Sequence, residues 1–189
     1  MTVEKMIATD FVASGLTANT GAGEGASAKG RFTIECFDKD GNLKWSADES
    51  NLVVNVGLQY MAGVALTSTS QSTTWYVGLY GAGASNTPAA TDTLSSHAGW
   101  TEITPYSGSR PAAVFASATN ANPSVVTNSA SKASFSINTT ATVGGAFLCN
   151  AASGTSGILF SAADFQSPGD RSVVSGDSLA VTYTFSLAG

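Results

Sequence analysis

Residues 176–187 read GDSLAVTYTFSL and form the most regular hydrophobic pattern in the chain. Large apolar residues occupy every second position: Leu179, Val181, Tyr183, Phe185 and Leu187. Successive side chains of a β-strand point to opposite faces, so this period of two predicts a strand with one apolar face. The preceding Gly176-Asp177 pair is typical of a turn. We therefore predict a central strand that closes the hydrophobic core.

The composition of the chain favours β-sheets and tight turns. Of its 189 residues, 43% are hydrophobic and 11% are charged. Solvent-exposed helices normally carry many Glu, Lys and Arg residues, which are scarce here. The net charge of −5 and the scattered Lys and Arg residues argue against a nucleic-acid-binding surface. This length fits one domain of ordinary size plus a tail.

Other segments repeat the strand pattern. Residues 31–46 alternate apolar and polar residues on both sides of a DKDGN turn, which predicts a β-hairpin with Gly41 in the turn. Further short strands are predicted at 75–80, with both faces covered, and at 112–116, 133–138, 143–149 with a bulge at Gly144-Gly145, 157–160 and 171–174. Residues 120–128 and 162–168 are predicted as connections. Many short strands separated by turns predict an all-β fold with an antiparallel β-sandwich or jelly-roll-like body.

One short helix interrupts the strands. Val54, Leu58, Met61, Ala62 and Ala65 recur at steps of three and four residues, which predicts a helix over 55–66. We expect these side chains to pack in the core. The side chain of Ser50, Asn51 or Asn55 is expected to cap the N-terminus of the helix.

The first thirty residues differ from the rest of the chain. They are rich in Gly, Ala, Ser and Thr, and their apolar anchors are Met6, Ile7, Phe11 and Val12. Such a composition buries too little apolar area to offset the entropy lost on ordering. We predict an extended, flexible N-terminal arm over 1–30 and a β-sandwich domain over 31–189. The arm either clasps a partner or is a tail of no consequence.

Residues 91–106, TDTLSSHAGWTEITPY, hold the single His and the most enzyme-like side chains. Every residue type of a hydrolytic triad occurs here: Asp92, Ser95, Ser96, His97 and Glu102. No strained-turn signature such as G-x-S-x-G accompanies them, and a triad is defined by geometry. We interpret the segment as a structural loop in which Trp100 caps an apolar core, with His97 and Glu102 in supporting roles. We expect no catalytic activity.

Metal, cofactor and membrane signals are weak. Asp38, Asp40, Asn42 and Glu49 imitate part of an EF-hand loop, but Leu43 occupies the position that requires Gly. We expect no metal and no cofactor. Cys36 and Cys149 are expected to be buried free thiols, with a disulfide as the alternative. The sequence contains no secretory signal and no apolar run of about 18 residues, so we expect a soluble protein made in the cytosol.

Several segments, in this order, resemble a family of small structural proteins of tailed bacteriophages. The motifs are Trp45, 51–58 (NLVVNVGL), 75–79 (WYVGL), 92–102 (DTLSSHAGWTE), Tyr106, Arg110-Pro111, 146–148 (AFL) and 176–179 (GDSL). The similarity runs from about Phe32 to the C-terminus. Its motifs are structural in character, and the N-terminal arm lies outside it.

The resemblance implies a capsid decoration, or cement, protein with a β-sandwich body. The implied partners are the major capsid protein and other copies of the chain in a homotrimer or dimer, with no nucleic acid and no membrane. The implied location is the capsid surface of the virion, assembled in the cytoplasm of the bacterial host. We expect Met6, Ile7, Phe11 and Val12 to grip the capsid. The alternative is a tail, fibre-base or host-surface binding module that uses Tyr76, Tyr80, Trp100 and Tyr106 as contacts.

Overall fold

A computed structural model describes residues 25–82, 87–166 and 169–189, which fold mainly as β-strands. In chain order the elements are β1 (Ser27–Phe37), β2 (Leu43–Ser50), β3 (Leu52–Val53), α1 (Asn55–Leu66), β4 (Trp75–Gly81), β5 (Glu102–Ile103), β6 (Ala112–Ala113), β7 (Ser124–Thr127), β8 (Ala133–Ser136), β9 (Ala141–Cys149), β10 (Leu159–Asp164), β11 (Arg171–Val173) and β12 (Ser178–Ala188). These elements form two antiparallel sheets.

The first sheet is built around β12, as its alternating pattern predicts. Its order is β2-β1-β12, and β7 and β8 both pair with the far side of β12. The β1–β2 hairpin is confirmed, with Gly41 in its turn at a φ of 83°. The Asp38 carboxylate closes this turn by accepting hydrogen bonds from the amides of Asp40 and Asn42.

The second sheet has the order β3-β10-β9-β4-β5. Two short strands extend it: β11 pairs with β9, and β6 pairs with β4. Between Tyr80 and Gly81 the register against β9 jumps from Gly145 to Val143. Gly144 is therefore the extra residue of a β-bulge, which confirms the predicted irregularity.

The inner faces of the two sheets share one hydrophobic core. Leu179, Val181 and Tyr183 of β12 are at most 1% exposed and belong to the same cluster as Val77 and Leu79 of β4. The alternation along β12 weakens only at its end, where Leu187 is 43% exposed. This arrangement confirms the β-sandwich; a jelly-roll connection between its strands stays a prediction.

The outer face of the second sheet is also covered. A second hydrophobic cluster contains Tyr80, Trp100 and Phe147, with Tyr76 packed against it. Odd-numbered residues of β4 therefore face the first sheet while even-numbered tyrosines lie under the loop that carries Trp100. The prediction that both faces of this strand are covered is confirmed.

Helix α1 has the predicted bounds, and Val54 and Met61 pack as predicted, but the cap and the burial of Leu58 were predicted wrongly. Val54 occupies the N-cap position, and no side chain forms a capping hydrogen bond there. Leu58 is 42% exposed, whereas Gly57 is the buried residue of the helix. The helix backbone itself lies against β10, because a Cβ added to Gly57 would overlap the carbonyl group of Phe160. Close backbone approach at Gly57 therefore adds to the contacts that Val56, Tyr60 and Met61 make with the body.

Three short segments also differ from the sequence-based prediction. The strand expected at 112–116 is reduced to the two residues of β6, and residues 162–164 belong to β10 instead of a turn. Residues 124–127 form β7, although a connection was predicted there. Such segments are strands because of a long-range partner, and β7 has β12 as that partner.

The body begins earlier than the predicted boundary between residues 30 and 31. Strand β1 starts at Ser27, which pairs with Ala188 at the end of β12. Residues 27–30 are therefore part of the first sheet. The predicted arm residues Met6, Ile7, Phe11 and Val12 lie outside the described residues.

We expect the substitution Gly57→Ala to lower the free energy of unfolding by about 1–3 kcal/mol, as overpacking does. The clash with the Phe160 carbonyl outweighs the gain of about 1 kcal/mol that Ala brings to a helix interior. Urea denaturation followed by circular dichroism measures the change.

The matched control for this substitution is Gly63→Ala in the same helix. A Cβ at Gly63 would meet the side chain of Thr69, which can rotate away. We expect a change within about 0.5 kcal/mol for this variant. Equal losses for the two variants would contradict the close backbone approach at Gly57.

Candidate functional site

Trp100 is the centre of the 91–106 loop. Its indole is 4% exposed and lies 5.1 Å, between ring centroids, from both Tyr80 and Phe147. The Asp92 carboxylate accepts hydrogen bonds from Trp100 Nε1 at 2.9 Å and from the Ala89 amide at 3.0 Å. A buried indole N–H requires such an acceptor. The loop therefore covers the outer face of the second sheet with the anchored Trp100 ring and the buried Leu94 side chain.

The candidate triad residues are not hydrogen-bonded to one another. His97 stacks on the Trp100 ring at 3.7 Å between centroids, and its Nδ1 lies 2.8 Å from the backbone oxygen of Trp100. The Ser95 hydroxyl is paired with that of Thr93 at 3.3 Å. Asp92 bonds to Trp100, so in this arrangement it does not orient His97 as the acid of a triad would. The contacts of His97 support the Trp100 ring.

Glu102, which is half-buried, forms an ion pair with the buried Arg110. The guanidinium donates from Nε and Nη2 to the two carboxylate oxygens at 2.7 and 2.6 Å. Arg110 is 4% exposed and also donates to the backbone oxygens of Ala151 and Gly154, both at 2.8 Å. Burial alone would lower the pKa of Arg110, but the hydrogen bonds and charge of Glu102 raise it. Arg110 thus ties the 102–110 segment to the loop after β9.

The buried position of Arg110 was not predicted from the sequence. A usable signal exists, because residues 51–160 contain just four charged side chains: Asp92, Glu102, Arg110 and Lys132. Charges that persist in an otherwise neutral body are candidates for internal pairing. Three of these four lie in the network that anchors the loop on the second sheet.

Both cysteines are free and buried, as predicted. Burial, with a contribution from the nearby Asp177 carboxylate, raises the pKa of Cys36 to about 11. Burial also raises the pKa of Cys149, whose sulfur accepts a weak hydrogen bond from Arg110 Nη1 at 3.6 Å. Thiols with raised pKa values are poor nucleophiles at neutral pH.

An apolar groove, defined here by helix α1, Phe115 and the end of β12, opens at one end of the sandwich. Its volume is about 330 Å³. The lining residues are Tyr60, Met61, Val64, Ala65, Gln71, Ser72, Trp75, Phe115, Val126, Leu148, Phe160, Tyr183, Phe185 and Leu187. None of these side chains carries a charge at neutral pH. A cavity of this size and character accepts apolar side chains or a small apolar ligand.

Edge-to-face aromatic contacts shape the floor of the groove. Trp75 lies 5.4 Å, between ring centroids, from both Tyr60 and Phe160, and Phe160 lies 5.4 Å from Phe185. The Tyr60 hydroxyl accepts a hydrogen bond from the Ser72 amide at 2.6 Å, which fixes its ring beside the groove. The groove joins α1, β4, β10 and β12, so no single segment of the sequence indicates it.

Residues 25–82, 87–166 and 169–189 contain no group of three or more His, Cys, Asp or Glu side chains placed to hold a metal ion. Within those same ranges no helix has both the length and the hydropathy required to cross a bilayer.

Comparison with known proteins adds no family assignment: no family model, no curated protein and no solved structure matches this chain. The resemblance to phage decoration proteins therefore rests on the motifs in the sequence and stays a prediction.

We expect the substitution Arg110→Met to lower the free energy of unfolding by about 2–3 kcal/mol, because hydrogen bonds to a charged group contribute about 1.5–3 kcal/mol and the remaining Glu102 is 26% exposed to water. Both Glu102 and the carbonyls of Ala151 and Gly154 lose their donor. Urea denaturation measures the loss.

The control for Arg110 is Arg31→Met, which removes the exposed ion pair with Asp48. Both side chains of that pair are about half exposed, so we expect a loss of at most about 1 kcal/mol. A loss for Arg110→Met no larger than for Arg31→Met would show that the pair of Arg110 with Glu102 does not anchor the loop.

We expect the free energy of unfolding to fall as the pH rises from about 8 to about 11, in part because of Cys36. The thiol ionises near pH 8.5 in the unfolded chain, whereas in the folded protein its pKa is about 11. Over this window the folded state binds more protons, so alkali favours unfolding. Urea denaturation at several pH values measures the slope.

The variant Cys36→Ala should show a shallower loss of stability over the same pH window, although it is less stable at neutral pH. Val181→Ala is the matched control, because it also removes buried volume from the shared core but no titrating group. We expect Val181→Ala to keep the slope of the unmodified protein. A slope unchanged by Cys36→Ala would contradict a raised pKa at this thiol.

Proposed function

We propose that this protein is a structural protein of a tailed-bacteriophage virion that binds the assembled head as a decoration, or cement, protein. The ordered set of motifs from Trp45 to residues 176–179 supports this proposal. In the structure many of these motif residues act in holding the body together. Trp100 is anchored by Asp92, and Arg110 is paired with Glu102.

One observation supports a binding role over a catalytic one. The enzyme-like side chains are engaged in structural contacts, while the groove, with the volume of a ligand pocket, is apolar and uncharged. A groove without an acid, base or nucleophile beyond hydroxyl groups provides contact area and little chemistry. Binding through apolar contacts is what a protein that stabilises a shell requires.

The low charge of the body fits repeated contact with a protein lattice. Charged side chains make up 11% of the sequence, so docking would remove few charges from water. A protein that binds the assembled shell and not its free subunits stabilises the shell by mass action. Many copies, as homotrimers or dimers placed by the symmetry of the lattice, would add their contributions.

Most of the aromatic side chains that a tail or host-surface module was expected to use as contacts are buried. Tyr80, Trp100 and Tyr106 are 0%, 4% and 6% exposed, and they pack in the core clusters. A side chain with so little exposed area contributes little to a surface contact. Tyr76 is half-buried in the same packing.

Sedimentation of the purified protein with emptied, expanded heads and, separately, with isolated tails tests the proposal. We expect saturable binding to heads, at a ratio set by the symmetry of the shell, and its loss after deletion of residues 1–24. The deletion ends at residue 24 because Ser27 already pairs with Ala188. Circular dichroism and thermal unfolding confirm that the truncated body is folded.

Binding to tails and not to heads would replace this proposal with that of a tail-associated module. Binding to neither would refute a virion role of either kind. Head binding that persists without residues 1–24 would keep the decoration role and remove the arm from it.

A further inference from the structure

The N-terminal end of β1 lies beside the apolar groove. Ala28 is paired with Leu187, which lines the groove, and Ser27 is paired with Ala188. Paired strands are about 4.8 Å apart, so the chain enters the body at the rim of the groove. Residues 1–24 therefore connect to the body at this rim.

The groove exposes apolar side chains to water, which favours the binding of another apolar segment. Phe115, Phe185 and Leu187 are partly or largely exposed, although they belong to an apolar surface. Water in contact with such a surface costs about 25 cal/mol for each Å². Soluble proteins rarely leave a concave apolar surface of this kind uncovered.

The N-terminal segment contains the side chains that fit this surface. Phe11 and Val12 form an apolar pair in a stretch that otherwise consists mostly of small and polar residues. An aromatic ring can add an edge-to-face contact to the Trp75 and Phe160 rings that line the groove. Because no lining side chain is charged, the groove favours this pair over a charged segment.

The length of the connecting chain is sufficient. Residues 13–24 reach up to about 40 Å when extended, at about 3.3 Å per residue. Gly15, Gly21 and Gly23 let this stretch reverse its direction. A connection of about twelve residues gives an effective concentration in the millimolar range, so even a weak contact within the chain is well populated.

We propose that, in the free protein, the groove is the docking site of the N-terminal segment of the same chain, with Phe11 and Val12 as the inserted side chains. The docked segment covers the apolar groove. This inference concerns the isolated protein and does not depend on the capsid-binding proposal. If the segment also grips a capsid, docking and capsid binding compete for the same side chains.

The test uses the body lacking residues 1–24 and a synthetic peptide of residues 1–24, followed by methyl NMR. We expect saturable shifts of the Val64, Val126, Leu148 and Leu187 methyl signals, and the same signal positions in the full-length chain. The full-length double variant F11S/V12S should show the signal positions of the truncated body. Shifts confined to other residues, or no shifts, would overturn the proposal.

Two substitutions on the body separate the groove from general apolar adhesion. Leu187→Lys places a charge in the groove at a side chain that is 43% exposed, so the fold is retained. We expect the Kd of the peptide to rise at least about tenfold, or about 1.4 kcal/mol. The matched control is Leu43→Lys, at a 56% exposed residue paired with Phe37 at the other end of β1. Equal effects of the two substitutions would contradict docking in the groove.

Two measurements distinguish docking within one chain from exchange of the segment between copies: methyl NMR at several protein concentrations and sedimentation equilibrium. We expect the NMR positions of the groove methyl signals of the full-length protein to stay constant while its concentration varies about tenfold, because the contact is intramolecular. A full-length dimer that becomes monomeric after truncation or in F11S/V12S would overturn docking within one chain. Capsid binding plays no part in these measurements, so their failure would leave the decoration proposal untouched.

Discussion

The pairing of β1 with β12 is the constraint on which the rest of the structure depends. Eleven residue pairs join the strands, from Ser27 with Ala188 to Phe37 with Ser178. Because the period of side chains in a strand is two, a slip of β1 by one residue against β12 would move Phe32 from the core to the outer face, away from Tyr183. This register places the first and last described strands in the centre of one sheet. It also brings the start of β1 to the rim of the apolar groove.

The buried charges Asp92, Arg110 and Asp177 fix irregular segments onto the strands. Asp92 holds Trp100, and Arg110 holds both Glu102 and the backbone oxygens beyond β9. At the opposite end of β1, the Asp177 carboxylate accepts hydrogen bonds from Lys44 and from the Val174 amide. Burial alone would raise the pKa of Asp177, but these bonds and the Lys44 charge lower it. Asp92, Arg110 and Asp177 therefore connect loops to strands through hydrogen bonds.

The local sequence pattern predicted those elements whose apolar side chains recur at regular spacing within the segment. The hairpin, the helix bounds, the bulge at Gly144, the doubly covered β4 and the central β12 were all predicted, because alternation and turn residues depend on the segment itself. The exposure of Leu58 and the strand at residues 124–127 were not predicted from the sequence. Leu58 follows the helical period but is exposed, since Gly57 places the helix backbone against β10. Residues 124–127 become a strand through β12.

The all-β class and the alternating faces follow from residue type and spacing, whereas the free state of the two thiols was expected with a disulfide as the alternative and is shown by the structure. Tertiary structure alone decided where the side chains of the 91–110 region find their partners. In the folded protein Asp92 accepts a hydrogen bond from the Trp100 indole and not from His97, and Arg110 is buried. The tertiary structure also assembled the groove from α1, β4, β10 and β12. The physical reason is that such contacts join residues far apart in the chain, and their partners depend on the packing of the two sheets.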